Sequence, residues 1–209
     1  LAVANMAVEA GSETGIFPAD DRVVEYLDGR ARRAWTAERS DTDAEFRQRL
    51  AIDLGALEPL VALPHLPGNV VPVSQAAGLP VDQVYIGNCA NGTLTDLRQA
   101  ASILAGRRVH PRTRAIVVPA TQAIWREAAA EGLLDAFVEA GAIVSTPTCG
   151  ACFGGSNGAL AAGENAVTTT NRNFRGRMGS PEAGVHLANA WVAAAAAVAG
   201  ELVHPREVA

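Results

Sequence analysis

Four short apolar runs, each followed by a break and a helix- or loop-length connection, constrain the fold of this chain most. They are Val84-Tyr85-Ile86, stopped by Gly87; Arg114-Ala115-Ile116-Val117-Val118, stopped by Pro119; Ala142-Ile143-Val144-Ser145-Thr146; and Ala166-Val167-Thr168-Thr169-Thr170. Between them, residues 95–104 form a helix-type segment, and residues 123–140 form one or two helices interrupted near Gly132. Near-continuous apolar strands alternating with helices of ~10–15 residues specify a mainly parallel sheet covered on both faces. The expected fold class is α/β, in three-layer α/β/α units. Residues 181–200 are expected to close the chain with helices, and no internal repeat is present.

Upstream, Ala2, Ala4, Met6, Ala7, Val8 and Ala10 predict a small apolar helix ending at Gly11 or Gly15. Pro18-Ala19-Asp20-Asp21 opens a second helix through Leu27. Residues 29–50 carry Arg30, Arg32, Arg33, Glu38, Arg39, Asp41, Asp43 and Glu45, and are expected to form a solvated helical face. Pro59, Pro64, Pro67, Pro72 and Pro80 break residues 51–80 into strands and an extended connection, a seam between two structural units.

Composition narrows the function classes. The 209 residues are 49% hydrophobic and 19% charged, enough apolar surface for a core. The charge balance is 17 − 22 = −5, so the basic footprint of a nucleic-acid binder is absent. All 17 cationic side chains are arginine, which excludes a Schiff-base, Walker or general-base lysine in this chain. No apolar run approaches the ~20 residues of a membrane helix, and no signal-peptide pattern is visible. A cytoplasmic location, with neither membrane nor nucleic acid as partner, is expected. The chain opens at Leu1 in helix-like sequence, from which an upstream portion of a longer protein is expected.

In sheets of this kind ligands gather at the carboxyl ends of strands. Three unusual sequences fall there: Gly87-Asn88-Cys89-Ala90-Asn91-Gly92, Pro147-Thr148-Cys149-Gly150-Ala151-Cys152, and Asn171-Arg172-Asn173-Phe174-Arg175-Gly176-Arg177. The three cysteines form a CxxC pair with a lone cysteine 149 − 89 = 60 residues earlier. An odd number without an export signal argues against a disulfide framework. A structural zinc site wants a fourth ligand, and His65, His110, His186 and His204 lie at no finger-type spacing. Three thiolates suit a cubane cluster with one iron left open, able to act as a Lewis acid. Other readings stand beside it. The CxxC can be a redox pair at a helix start, and Cys89 can be a small buried hydrophobe. The arginine-rich run can clamp carboxylates bidentately or be a solvated basic loop. Asn5 and Glu9 stand four apart, on one face of the first helix. His65 is read as structural, and His186, in a terminal helix, as surface or capping.

Taken in order, several stretches resemble the aconitase superfamily, and within it the large subunits of 3-isopropylmalate dehydratase and homoaconitase. They are residues 4–11, Pro64-His65, 69–73, 87–92, 118–122, 147–152 and 168–181. The resemblance implies an aconitase-like iron–sulfur domain at residues 76–209, with residues 1–75 the end of a preceding α/β subdomain. It implies that Cys89, Cys149 and Cys152 are ligands of a [4Fe–4S] cluster. It places Asn5 and Glu9 beside the open iron, and Asn171, Arg172 and Arg177 as cluster-side and substrate-carboxylate contacts. The implied reaction is isomerisation of a 2-hydroxy acid by dehydration and rehydration, 2-isopropylmalate to 3-isopropylmalate in leucine biosynthesis. Homocitrate, a methyl-substituted malate and citrate are the related substrates. The implied partner is a small subunit carrying the swivelling domain, without which, and without an N-terminal portion, the chain is expected to be inactive. Two departures are visible: the family's Ser-Cys-Thr-Asn is here Asn88-Cys89-Ala90-Asn91, and Ala188-Asn189-Ala190-Trp191 precedes the last helix. The expected missing upstream portion and the changed residues around Cys89 motivate a second reading, a non-catalytic binding or redox-sensing module on the same scaffold.

Overall fold

The computed structural model describes residues 2–208, and contacts divide the chain into two units, Val3–Ala56 and Leu57 onward. In the first, α1 (Ala2–Met6) runs into a 3-10 turn, Ala7–Ala10, ended by Gly11 at φ 78°. Helix α2 (Asp21–Leu27) is opened by Asp20, whose carboxylate accepts from the Val23 N–H at 3.0 Å. The helical face expected over 29–50 does not form: between Leu27 and Leu54 the described residues make neither helix nor strand. That stretch carries charge without an apolar stripe, so a helix there has nothing to bury, and propensity alone rarely holds one. No residue of Val3–Ala56 is buried.

The second unit contains β1 (Leu60–Ala62), β2 (Val70–Pro72), α3 (Val73–Ala76), β3 (Gln83–Gly87), α4 (Leu94–Leu104), β4 (Arg114–Val118), α5 (Gln122–Ala130) and α6 (Leu133–Ala140). It continues through β5 (Ile143–Val144), β6 (Asn165–Thr168), β7 (Gly184–Ala188) and α7 (Ala190–Ala199). The seven strands form one sheet in the order β2-β1-β7-β6-β3-β4-β5. The five from β7 to β5 run parallel, and β1 joins β7 antiparallel, with β2 outside it. The mixed α/β class with a mostly parallel sheet, expected from the run spacing, is what forms. The prolines between 59 and 72 shape an antiparallel β1–β2 pair at one edge of the sheet.

Alternation along β3 sorts the two faces. Val84 and Ile86 enter a core with Leu97, Leu104, Phe137 and the alanines of α7. Ala193 to Ala197 are all fully buried, so α7 packs on every side and brings α4 close. The other face of β3 carries Gln83 and Tyr85 and is covered by irregular chain: the Gln83 side-chain amide donates to the Gly158 carbonyl at 2.7 Å. Residues 181–200 prove to be a strand followed by a helix. Val185, His186 and Leu187 are all buried in β7, a strand whose apolar character merges in the sequence with the helix after it. His186 is therefore a buried strand residue, with Nδ1 3.2 Å from the Ala166 carbonyl.

Helix α4 starts with a reciprocal cap: Thr93 Oγ1 accepts from Asp96 N at 3.3 Å, and Asp96 Oδ2 accepts from Thr93 N at 2.9 Å. Thr93→Ala removes it and is expected to cost about 1 kcal/mol, a fall in Tm of about 2–4 °C by calorimetry. Burial holds the His186 imidazole below the usual histidine range, against hydrogen bonds to Ala166 and Gly184 that raise it. A depressed folded pKa means the unfolded chain binds the extra proton first. The stability His186 contributes is therefore full above about pH 6.5 and is lost as pH falls below it. NMR titration of this ring is expected to give a midpoint below that of an exposed histidine.

Candidate functional site

Strand order sets the place. From β3 the chain moves outward through β4 to β5, then returns to put β6 on the other side of β3. The order reverses between β3 and β6, and crevices at the carboxyl ends of such strands are where α/β sheets bind ligands. The loops carrying Cys89 and Asn171 leave the two strands at that reversal, and the loop carrying Cys149 and Cys152 leaves β5 at the same end of the sheet.

The Cys89 loop is clamped from both sides. At Gly87, φ is +116° and an added Cβ would stand 1.9 Å from the Val118 carbonyl oxygen, so no side chain fits. Thr169 Oγ1 accepts from the Gly87 N–H at 2.8 Å and reaches the Gly87 carbonyl at 3.1 Å, locking the end of β3 to the end of β6. Asn88 has φ 130°, and its side-chain oxygen accepts from Ala90 N at 2.6 Å and Asn91 N at 2.8 Å. Its amide donates to the Thr169 carbonyl at 3.3 Å. The Asn91 amide donates to the Thr169 carbonyl and to Asn171 Oδ1. Cys89 is held at the crest of this turn with its side chain exposed, which removes the reading of it as a buried hydrophobe.

Cys149 caps a 3-10 turn, Gly150–Phe153, and Cys152 lies within it; no α-helix opens there. The Cys149 carbonyl accepts from Cys152 N at 2.9 Å and from the Tyr85 hydroxyl at 3.1 Å. Arg177 Nε donates to the Cys152 carbonyl at 2.6 Å, and Nη2 lies 3.7 Å from Cys152 Sγ, with the guanidinium 5.3 Å from the Phe174 ring centre. The arginine-rich run is no simple solvated loop: Asn171 and Asn173 are buried, and Arg172 and Arg177 half-buried. Next to Asn171, Thr170 Oγ1 is buried without a hydrogen-bond partner, the sort of atom a bound molecule satisfies.

All three cysteines are free thiols. Burial, then Cys152, Cys149 and Cys89 in that order, push the Tyr85 hydroxyl above the ordinary phenol range, so each cysteine lies within electrostatic reach of this one group. Three thiols are the donor type that an iron–sulfur cluster with an open iron takes. Among the described residues no three or more His, Cys, Asp or Glu side chains stand grouped in a metal-holding arrangement. Asn5 lies in α1 and Glu9 in the 3-10 turn after it, both in the first unit.

Sequence reasoning missed Tyr85 and Thr169 as part of the site. The signal for Tyr85 was present: Gln83 and Tyr85 alternate with Val84 and Ile86, so one face of this strand meets something polar. Nothing in the run Thr168-Thr169-Thr170 singles out the middle hydroxyl.

A family model for the Aconitase family (aconitate hydratase) matches residues 1–80 and 74–200. The chain belongs to the aconitase family. It is 70% identical over 208 of its 209 residues to 3-isopropylmalate dehydratase large subunit 2 of Rubrobacter xylanophilus. It is 55% identical over 206 residues to the 3-isopropylmalate dehydratase large subunit of Moorella thermoacetica, and 52% over 208 residues to that of Heliobacterium modesticaldum. It covers 49%, 49% and 50% of those proteins, so it spans about half the length of the curated relatives it matches. Among the described residues no helix is long and apolar enough to cross a membrane.

Gly87→Ala puts a methyl group into the Val118 carbonyl and forces β3 from β4 at the site end. A cost of about 3 kcal/mol is expected, read as a fall in Tm of roughly 6–12 °C.

Proposed function

We propose that this chain is the cluster-bearing part of a hydro-lyase large subunit that converts 2-isopropylmalate to 3-isopropylmalate with a small-subunit partner. The observation that carries the reading is the set of three free thiols on loops that leave the parallel strands β3 and β5 at the same end of the sheet. The names of the relatives supply the substrate and the implied second subunit. Cys89, Cys149 and Cys152 would hold the [4Fe–4S] cluster. When bound, such a cluster supplies a Lewis-acidic iron that polarises a substrate hydroxyl.

The chain's own residues do the rest of the work available to it. Arg172 and Arg177 bind the substrate carboxylates through planar forks suited to bidentate contact. Arg177 is aimed by its Nε–H bond to the Cys152 carbonyl, which ties anion binding to the two-cysteine loop. Asn171, buried and engaged by Asn91, fixes the cluster-side wall. On the resemblance, Asn5 and Glu9 hydrogen-bond the hydroxyl that leaves and returns as water. Dehydration removes that hydroxyl and a proton from the adjacent carbon. Hydration then restores both with positions exchanged. No lysine of this chain can take the proton; the swivelling domain of the small subunit supplies the base on this reading.

The replacement of the family's serine by Asn88 is absorbed locally, because its side chain is spent on Ala90, Asn91 and Thr169 within the turn. This departure therefore gives little weight to the non-catalytic alternative. The test is anaerobic reconstitution of the full large subunit with iron and sulfide, followed by assay with its small subunit. A brown protein and turnover of 2-isopropylmalate are expected, both abolished by Cys149→Ser. A colourless protein that takes up one zinc instead would sink the cluster assignment. A loaded complex that turns over none of 2-isopropylmalate, homocitrate, methyl-substituted malate or citrate would establish the binding-module alternative.

A further inference from the structure

Tyr85 is a fully buried aromatic in the middle of β3, on the sheet face turned away from the helices. Its ring packs in place without its hydroxyl, as a phenylalanine would; the hydroxyl needs its own explanation, because a buried O–H without a partner is costly. Its partner is the Cys149 carbonyl at 3.1 Å. The same oxygen accepts the Cys152 N–H at 2.9 Å, so one acceptor joins the sheet core to both ends of the CxxC turn. Gly150 is shaped to allow this: φ is +48°, and a Cβ there would stand 3.3 Å from the Tyr85 hydroxyl. A methyl group at residue 150 would crowd the phenol, and the positive φ strains any side chain there. The remaining ties of this turn come from outside the sheet, chiefly Arg177 on the Cys152 carbonyl at 2.6 Å.

We infer that Tyr85 is a positioning residue for the cysteine pair: through the Cys149 carbonyl it fixes the turn that aims the Cys149 and Cys152 thiols. This rests on the reading of those thiols as cluster ligands, and it deepens that reading by naming what orients them. Groups that hydrogen-bond behind a ligand set its direction and the electronic character of the metal it binds. A phenol that donates to the carbonyl of a ligand residue holds that ligand's turn in place, so its loss shifts the potential of the cluster and makes it easier to strip, without touching any ligand.

The test is Tyr85→Phe in the full large subunit, which keeps the ring and deletes the oxygen. Two quantities are read. In the cluster-free protein, amide exchange of the 149–154 segment is expected to quicken about fivefold, the equivalent of one net hydrogen bond. Exchange over 88–92 is expected to stay the same. In the reconstituted protein, the reduction potential of the cluster is expected to shift and its loss to a chelator to speed up. Gly150→Ala, which keeps the phenol and pushes the loop off it, should reproduce the exchange result. Unchanged exchange at 149–154 in both variants overturns the inference, as does an unchanged potential in Tyr85→Phe. Should the wild-type protein take up no cluster, the cluster assignment falls by itself, and the exchange measurement alone decides the role of Tyr85.

Discussion

The seam between β3 and β6 is the constraint on which the site depends. The two strands come together only because the chain doubles back after β5, and a single hydroxyl, that of Thr169, fastens their ends by engaging both the N–H and the carbonyl of Gly87. Everything at the crest of the Cys89 turn follows. Gly87 lies against the Val118 carbonyl, Asn88 folds its side chain into the backbone that follows it, and Asn91 reaches across to Asn171. The sulfur of Cys89 is placed by Gly87, Asn88 and Asn91 of its own turn and by Thr169 and Asn171 beyond the end of β6. The second loop is fastened by different means, a phenol from below and a guanidinium from the side.

The parallel sheet was legible because Val84 to Ile86, Arg114 to Val118 and Ala166 to Thr170 carry the β-branched, apolar signature of strands buried on both faces. The two regions that differ from expectation share a cause. In 29–50 charge density stood in for periodicity, yet a helix is held by the face it buries, and this stretch has no such face. In 181–200 the apolar character of α7 masked the shorter strand in front of it. Val185 and Leu187 flank a histidine whose polarity breaks the run, and the histidine is buried all the same.

For the site, the residue types and their post-strand positions were readable, but the ties between loops were not. Cys89, Cys149, Cys152 and the arginine-rich run stand out by chemistry and spacing. Tyr85 and Thr169 do not, because their importance lies in partners 149 − 85 = 64 and 169 − 87 = 82 residues away. A strand aromatic and one threonine among three look like packing until the neighbouring backbone is in view. The absence of lysine from the sequence is informative in the same one-way manner: it says only that lysine chemistry is not carried by these 209 residues.

The interposed strand β4 has a consequence for biogenesis. The strands that carry the two sulfur-bearing loops are not neighbours; β4 separates β3 from β5, and the bolt that pins the first loop arrives with β6. A nascent chain emerging from the ribosome exposes its first thiol long before residue 169 is available to secure it. The Cys89 turn therefore takes its final form only once β6 has joined the sheet, late in the growth of the chain.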